Sequence, residues 1–200
     1  RGELEKERRE GRAMTYRVIQ WATGNVGRAA VQGIVSHPQL ELVGAWVHSA
    51  QKAGRDVGEL CGLGQLGIRA TADIEKILAL PADCVVYSPL LPQLDEVVRI
   101  LESGKNVVTP VGWFYPFKTP GVARLEAACR TGGVTLHGTG IHPGGITELF
   151  PLTVSALCRD VRHVRIAVDF RPGPRIDADR TAITPPASAA WERLYAGLLL

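Results

Sequence analysis

From Met14 to Asp169 the chain alternates short apolar runs with longer segments whose apolar residues recur at helical spacing. Strands that are separated by helices pair in parallel through right-handed crossovers, and a parallel sheet needs both faces covered. The pattern therefore predicts an α/β protein built on a doubly wound parallel sheet. Arg17–Ala22 reads as a first, buried strand, and Val26–Ser36 as a helix that presents Val26, Ala30 and Ile34 to the core and stops at Pro38. Leu40–Val47 is the second strand, Ile68–Thr71 a short third, and Asp73–Leu80 a helix stopped by Pro81. Asp83–Tyr87 is a fourth strand. It is followed by a helix over Gln93–Ser103, with Leu94, Val97, Val98 and Leu101 on one side and Gly104 as its stop. Strands at Asn106–Thr109 and Val134–His137 flank a helix over Pro120–Thr131, closed by Gly132 and Gly133. A last helix opens at Thr147 and Glu148 and runs to about Cys158, before a final strand at Val161–Val168.

The two ends differ from this middle. Residues 1–13 are dense in charge of both signs and have almost nothing apolar to bury, so they read as a disordered leader. From 170 to 200 the chain becomes irregular and proline-rich: Arg171-Pro172-Gly173-Pro174 and Pro185-Pro186 break any element, and only Ala189–Leu200 has the pattern of a short helix. A core of one domain fits within 200 residues that are 46% hydrophobic, and 14–145 is assigned to it. Residues 146–169 would begin a second, substrate-holding domain that is truncated here or missing. A fragment, or a change of reading frame near Arg171, would account for that; reading the encoding DNA in all three frames is the test.

Composition narrows the function classes. A net charge of +3, carried by scattered basic residues, excludes a nucleic-acid footprint. No apolar run reaches the ~18 residues of a membrane helix, and no secretory signal opens the chain, so a cytoplasmic location is expected by default. The four cysteines, Cys61, Cys84, Cys129 and Cys158, form no CxxC pair, which argues for free thiols and against a metal site.

In doubly wound sheets, ligands bind beyond the carboxyl ends of the strands, where the strand order reverses. Two glycine runs compete for that role. Gly62-Leu63-Gly64-Gln65-Leu66-Gly67 is a literal GxGxxG, but it follows no strand and opens no helix; it is expected to be a flexible loop. Ala22-Thr23-Gly24-Asn25-Val26-Gly27 lacks the first glycine but sits where the first strand hands over to the first helix. There a helix N-terminus, with its free N–H groups and partial positive charge, can receive a diphosphate. Gly24 would let the backbone approach the diphosphate, and Gly27 would let helix and sheet pack closely. Thr23, Gly24, Asn25, Val26 and Gly27 are thus the candidate diphosphate residues of a Rossmann-type domain.

The second strand's end bears on the choice of cofactor. NAD sites place an acidic residue there, about 20 residues past the glycines, to hold the ribose 2′-hydroxyl. Here Val47-His48-Ser49-Ala50-Gln51-Lys52 carries no carboxylate, and none appears before Asp56. His48, Ser49 and Lys52, with Arg55 beyond, suit a 2′-phosphate instead, which favours NADP and leaves NAD as the alternative.

With these residues in view, the chain resembles the N-terminal domain of the dihydrodipicolinate reductase-like family, and most of all its 2,4-diaminopentanoate dehydrogenase-like branch. The resemblance runs from about Tyr16 to Val168. It rests on Gln20–Arg28, on the glycine-rich stretch Val57–Gly67 and on Gly138-Thr139-Gly140-Ile141-His142-Pro143-Gly144. It implies that Ser88-Pro89 and Thr109-Pro110 border the nicotinamide ribose and ring, and that Gly138, Thr139 and Gly140 begin a hinge facing the reacting carbon. It also implies hydride transfer between the nicotinamide and the carbon of an imine or amine, so the partner is a small molecule. His142 is the titratable residue of that hinge and a candidate proton relay; a ring that merely hydrogen-bonds the loop is the other reading. The family's His- and Lys-rich substrate motif has no match here, since His163 stands on an expected strand.

Two further readings stand beside this one. A non-catalytic nucleotide-binding module shares the first loop. A methyltransferase also places glycines after its first strand, but it wants an acidic residue at the end of the second, which is absent. An exposed edge of the sheet would favour a homo-oligomer.

Overall fold

The computed structural model describes residues 15–113, 120–141 and 144–165. Their contacts place them in two units, Arg1–Val161 and Arg162–Leu200, and of the second only 162–165 are described. The leader, the proline-rich tail with its expected helix, and His142 lie outside the described residues.

The first unit is a five-stranded parallel sheet with helices on both faces. In chain order its elements are β1 (Tyr16–Trp21), α1 (Asn25–Ser36), β2 (Leu40–Trp46), α2 (Val57–Cys61), α3 (Ile74–Leu78), β3 (Cys84–Tyr87), α4 (Leu94–Glu102), β4 (Asn106–Thr109), α5 (Val122–Gly132), β5 (Leu136–Gly138), a π-type turn (Gly145–Leu149) and α6 (Phe150–Ser155). The strand order is β2-β1-β3-β4-β5, so the direction of winding reverses between β1 and β3. That reversal opens the crevice at the carboxyl ends of these two strands. The doubly wound architecture expected from the alternation is the one observed.

Period-two alternation along β1 explains why both faces are buried. Val18 joins Val31 and Ile34 of α1 and Val57 and Leu60 of α2 in one apolar cluster. Ile19 and Trp21 join Ile77 of α3, Val97 and Leu101 of α4 and Leu125 of α5 in the other. Alternation also puts Gln20 on the α1 side, where it is wholly buried. It is the polar member of an otherwise apolar strand interior.

Several sequence expectations need correction. Ile68–Thr71 is not a strand: Arg69 pairs singly with Asp56 and Thr71 singly with Trp46. The stretch is too short to run along one partner, so it divides its hydrogen bonds between the edge of β2 and the loop before α2. On α1 the buried face is Gly27, Val31 and Ile34, whereas Val26 is 55% exposed. The helical stripe is offset by one residue because a glycine occupies its first position. Helix α2 was not anticipated, although Asp56-Val57-Gly58-Glu59 has the spacing of a capping box. The last expected helix is a π-type turn followed by the short α6. Of the expected final strand, Val161–Arg165 has no regular structure, and the rest lies outside the described residues.

Candidate cofactor site

Because all five strands run the same way, the segments that follow them emerge on one edge of the sheet. Ala22–Gly27, His48–Arg55 and Ser88-Pro89 follow β1, β2 and β3, while Thr109-Pro110 and Gly138–Gly140 begin on the last residues of β4 and β5. The sequence-predicted site residues within the described chain are therefore brought to that edge.

The turn after β1 is built tightly. Ala22 adopts φ 72°, the left-handed region in which glycine is at ease. Its N–H donates to Trp46 O at the end of β2 (2.9 Å), which fixes the turn against the neighbouring strand. Gly24 is the N-cap of α1, so the helix start carries no side-chain cap. A methyl placed on Gly24 would meet nothing within 4 Å, so this residue is open to an approaching group. A methyl on Gly27 would instead stand 2.1 Å from the Ala22 carbonyl oxygen. Gly27 is closed by the turn's own backbone, and its missing side chain is what lets α1 start directly against β1.

Thr23 is 3% exposed, and Lys52 reaches it from the loop after β2. The Lys52 ammonium donates to Thr23 O (3.2 Å) and lies 3.4 Å from Thr23 Oγ1. A cation from the predicted 2′-phosphate loop thus rests on the predicted diphosphate loop. His48 is exposed, with its ring edge-on to Trp46 (centroids 5.9 Å apart), and Ser49 O accepts from Lys52 N within the turn. Burial raises the Cys61 thiol above its ordinary pKa, and the nearby charges of Arg28 and Lys52 oppose that rise. Arg28, in the first turn of α1, thus acts on the same thiol as Lys52. In the sequence its signal is a cation four residues past Gly24, one helical turn on.

The carboxylate nearest in sequence is committed elsewhere. Asp56 caps α2 and accepts from the N–H groups of Gly58 (2.8 Å), Glu59 (3.3 Å), Leu66 (3.0 Å) and Gly67 (2.8 Å). The Leu66 N–H holds its pKa below the ordinary 3.8, against the effect of burial and with help from the other three donors. The end of the Gly62–Gly67 run is thereby tied to one carboxylate, through the Leu66 and Gly67 N–H groups. Asp56→Asn removes that charge, so the loop over 62–67 is expected to exchange its amides faster. A carboxylate with a depressed folded pKa stabilises above its unfolded value, and the effect disappears as pH falls through the folded one. Wild type should therefore lose an increment of stability below about pH 4 that Asp56→Asn lacks throughout, checked by urea unfolding at pH 3 to 7.

Past β3, Ser88 is 5% exposed; its N–H donates to Trp21 O (3.1 Å) and its Oγ accepts from Gln20 Nε2 (2.8 Å). Past β4, the buried Thr109 accepts from Val111 N (3.0 Å), and its carbonyl accepts from Thr139 N (2.8 Å) past β5. Pro89, Pro110, Thr139 and Gly140 are half-buried, and Gly138 is buried. The loop then folds back on itself: Gly145 N donates to Gly140 O (2.8 Å), Ile141 pairs with Gly144, and Gly144 N donates to the Glu148 carboxylate. The described cysteines Cys61, Cys84, Cys129 and Cys158 are free thiols, the first three half-buried and the last exposed.

A parallel sheet whose first strand delivers a glycine turn to a helix N-terminus at the winding reversal defines a Rossmann-type nucleotide-binding domain. Residues 18–109 match the family described as dihydrodipicolinate reductase, N-terminus. An amine dehydrogenase of Streptomyces virginiae is 37% identical over 159 residues, covering 74% of this chain and 44% of that protein. A 4-hydroxy-tetrahydrodipicolinate reductase of Synechococcus elongatus is 41% identical over 63 residues, or 32% of this chain and 23% of the other. The solved amine dehydrogenase of Mycobacterium smegmatis superposes with a TM-score of 0.57 at 32% identity, over 62% of this chain and 39% of its own. Over residues 18–109 the chain is thus similar to the N-terminal part of the dihydrodipicolinate reductase-like family, and it spans less than half the length of each of these relatives. Among the described residues no helix is long and apolar enough to cross a membrane.

Proposed function

We propose that this chain is the cofactor-binding part of an NADPH-dependent oxidoreductase that transfers hydride at the carbon of an imine or amine. The observation that carries the reading is Lys52 resting on Thr23 while Asp56, the first carboxylate past β2, is engaged by backbone donors. A ribose 2′-hydroxyl would find no carboxylate in His48–Arg55, whereas a 2′-phosphate would find Lys52, His48 and Ser49, with Arg28 and Arg55 close in sequence to the two loops.

The open Gly24 and the uncapped start of α1 fit a diphosphate. Thr23, Gly24, Asn25, Val26 and Gly27 would hold it, with Ser88, Pro89, Thr109 and Pro110 bordering the nicotinamide ribose and ring. NADPH, when bound, supplies the hydride. The chain's own part is placement: Gly138, Thr139 and Gly140 would orient the substrate side. His142 remains a candidate for moving a proton there, on a residue outside the described set. The amine dehydrogenase relatives support an imine or amine as the small-molecule substrate. A cytoplasmic location and a homo-oligomer are parts of the same proposal.

The test is a titration of the 200-residue chain with NADPH and with NADH, repeated for Lys52→Ala, His48→Ala and Arg55→Ala. A charged hydrogen bond to phosphate is worth about 1.5–3 kcal/mol, so Lys52→Ala should weaken NADPH by roughly 10- to 100-fold and leave NADH nearly unchanged. Equal affinities for both nucleotides before and after substitution would remove the NADP preference. The second reading is a nucleotide-binding module without turnover. Binding without oxidation of NADPH across a panel of imines selects it.

A further inference from the structure

We infer that Gln20 is the positioning residue of the nucleotide site, holding the left-handed Ala22 turn in shape and tying it to the Ser88 loop. This rests on reading Ala22–Gly27 as the diphosphate loop.

Gln20 is wholly buried, directly beneath the turn it precedes. The two hydrogens of its Nε2 go to Ala22 O (2.8 Å) and Ser88 Oγ (2.8 Å), with Trp21 O (3.1 Å) sharing one of them. Two of those acceptors are carbonyls that cannot donate, so the amide can face them only with its nitrogen. Its Oε1 is buried with no partner. A side chain that leaves one end unsatisfied is placed for what the other end does.

What the nitrogen does is local and specific. Where a Rossmann turn has its first glycine, this chain has Ala22 at φ 72°. A side chain there is strained, and the conformation persists only when its surroundings over-determine it. Gln20 supplies that constraint by gripping the Ala22 carbonyl. The same carbonyl is the atom a Gly27 methyl would strike at 2.1 Å, and Gln20 Nε2 lies 3.1 Å from that methyl position. Gln20, Ala22 and Gly27 therefore converge on one oxygen. The bond to Ser88, 68 residues away, links the turn after β1 to the loop after β3, across the crevice where winding reverses. One buried amide thus sets the diphosphate loop and the expected nicotinamide-ribose loop in register with each other.

A glycine at position 22 would need no such grip, which provides the test. NADPH affinity is measured for wild type, Gln20→Met, Ala22→Gly and the double variant, with urea unfolding of each. Methionine keeps the volume of Gln20 and removes its donors. Gln20→Met should weaken NADPH on the order of tenfold, and the loss should be markedly smaller in the Ala22→Gly background, where only the tie to Ser88 remains to be lost. If Gln20→Met fails to fold while the double variant folds and binds, the inference is equally supported. Equal loss in both backgrounds, or failure of both to fold, assigns Gln20 to packing and overturns it, as does unchanged affinity in Gln20→Met. Wild type binding neither NADPH nor NADH would instead strike down the underlying reading of the loop.

Discussion

Gly27→Ala is expected to abolish nucleotide binding and destabilise the domain, whereas Gly24→Ala, three residues earlier, is expected to abolish binding and leave stability nearly intact. The two glycines differ in what a methyl meets. At Gly27 it lands 2.1 Å from the Ala22 carbonyl oxygen and 3.0 Å from the carbonyl carbon, both backbone atoms. That backbone is held by Trp46 O through the Ala22 N–H and by Gln20 through the Ala22 carbonyl. It cannot yield without opening the turn or shifting α1 off β1. Overpacking of this kind costs about 1–3 kcal/mol, and the rigid neighbour puts the expected value in the upper part of that range. At Gly24 the methyl meets nothing within 4 Å, and φ −75° suits any residue. The fold is indifferent to it, but the methyl occupies space that an approaching diphosphate would use. Urea unfolding and NADPH titration of both variants separate the two effects. Retention of full affinity in Gly24→Ala would mean that the diphosphate does not approach there.

Much of this architecture is written in short-range pattern. The run Val18-Ile19 sends adjacent side chains to opposite clusters, and the Val97, Val98, Leu101 spacing of α4 puts all three in the core. Once strands and helices alternate, parallel pairing carries every strand-end loop to one edge, which is why the predicted site residues share it. What pattern could not reveal depends on partners far along the chain or on backbone donors. Gln20 reads as a polar interruption of a strand until Ser88 is known to lie beside it. The hold of Asp56 on Leu66 and Gly67 is likewise hidden, because backbone N–H groups carry no side-chain signal. The offset of the α1 stripe has a similar origin: Gly27 faces the core because it is small, and a hydrophobicity count gives it no weight. In the sequence Lys52 offers only its charge, and its grip on Thr23 comes from a turn between Ser49 and Lys52 that only the folded chain shows.

Trp21→Ala is expected to be the most damaging single substitution in the core, and to affect the site with it. Trp21 is fully buried at the end of β1, stacked on Trp46 with centroids 4.7 Å apart and planes at 19°. Its indole N–H donates to Glu96 Oε2 (3.2 Å), which also accepts from Tyr87 OH (2.8 Å). Burial pushes the Tyr87 hydroxyl well above its ordinary pKa, and Glu96 adds to the rise, so this phenol stays neutral and keeps donating. Truncation to alanine opens a cavity between Trp46 and Tyr87 and strips one donor from Glu96, at about 3–5 kcal/mol. Against a total of about 5–15 kcal/mol for a domain, that leaves a marginal fold. Trp21→Phe keeps a ring against Trp46 and loses the N–H, so its larger penalty is one hydrogen bond to a charged group, about 1.5–3 kcal/mol. The Trp21 carbonyl accepts from Ser88 N and from Gln20 Nε2, so a loosened Trp21 moves the ends of both site loops. Affinity for NADPH should therefore fall together with stability in Trp21→Ala, and by less in Trp21→Phe. An alanine variant as stable as wild type in urea would show that this aromatic stack does not hold the strand end in place.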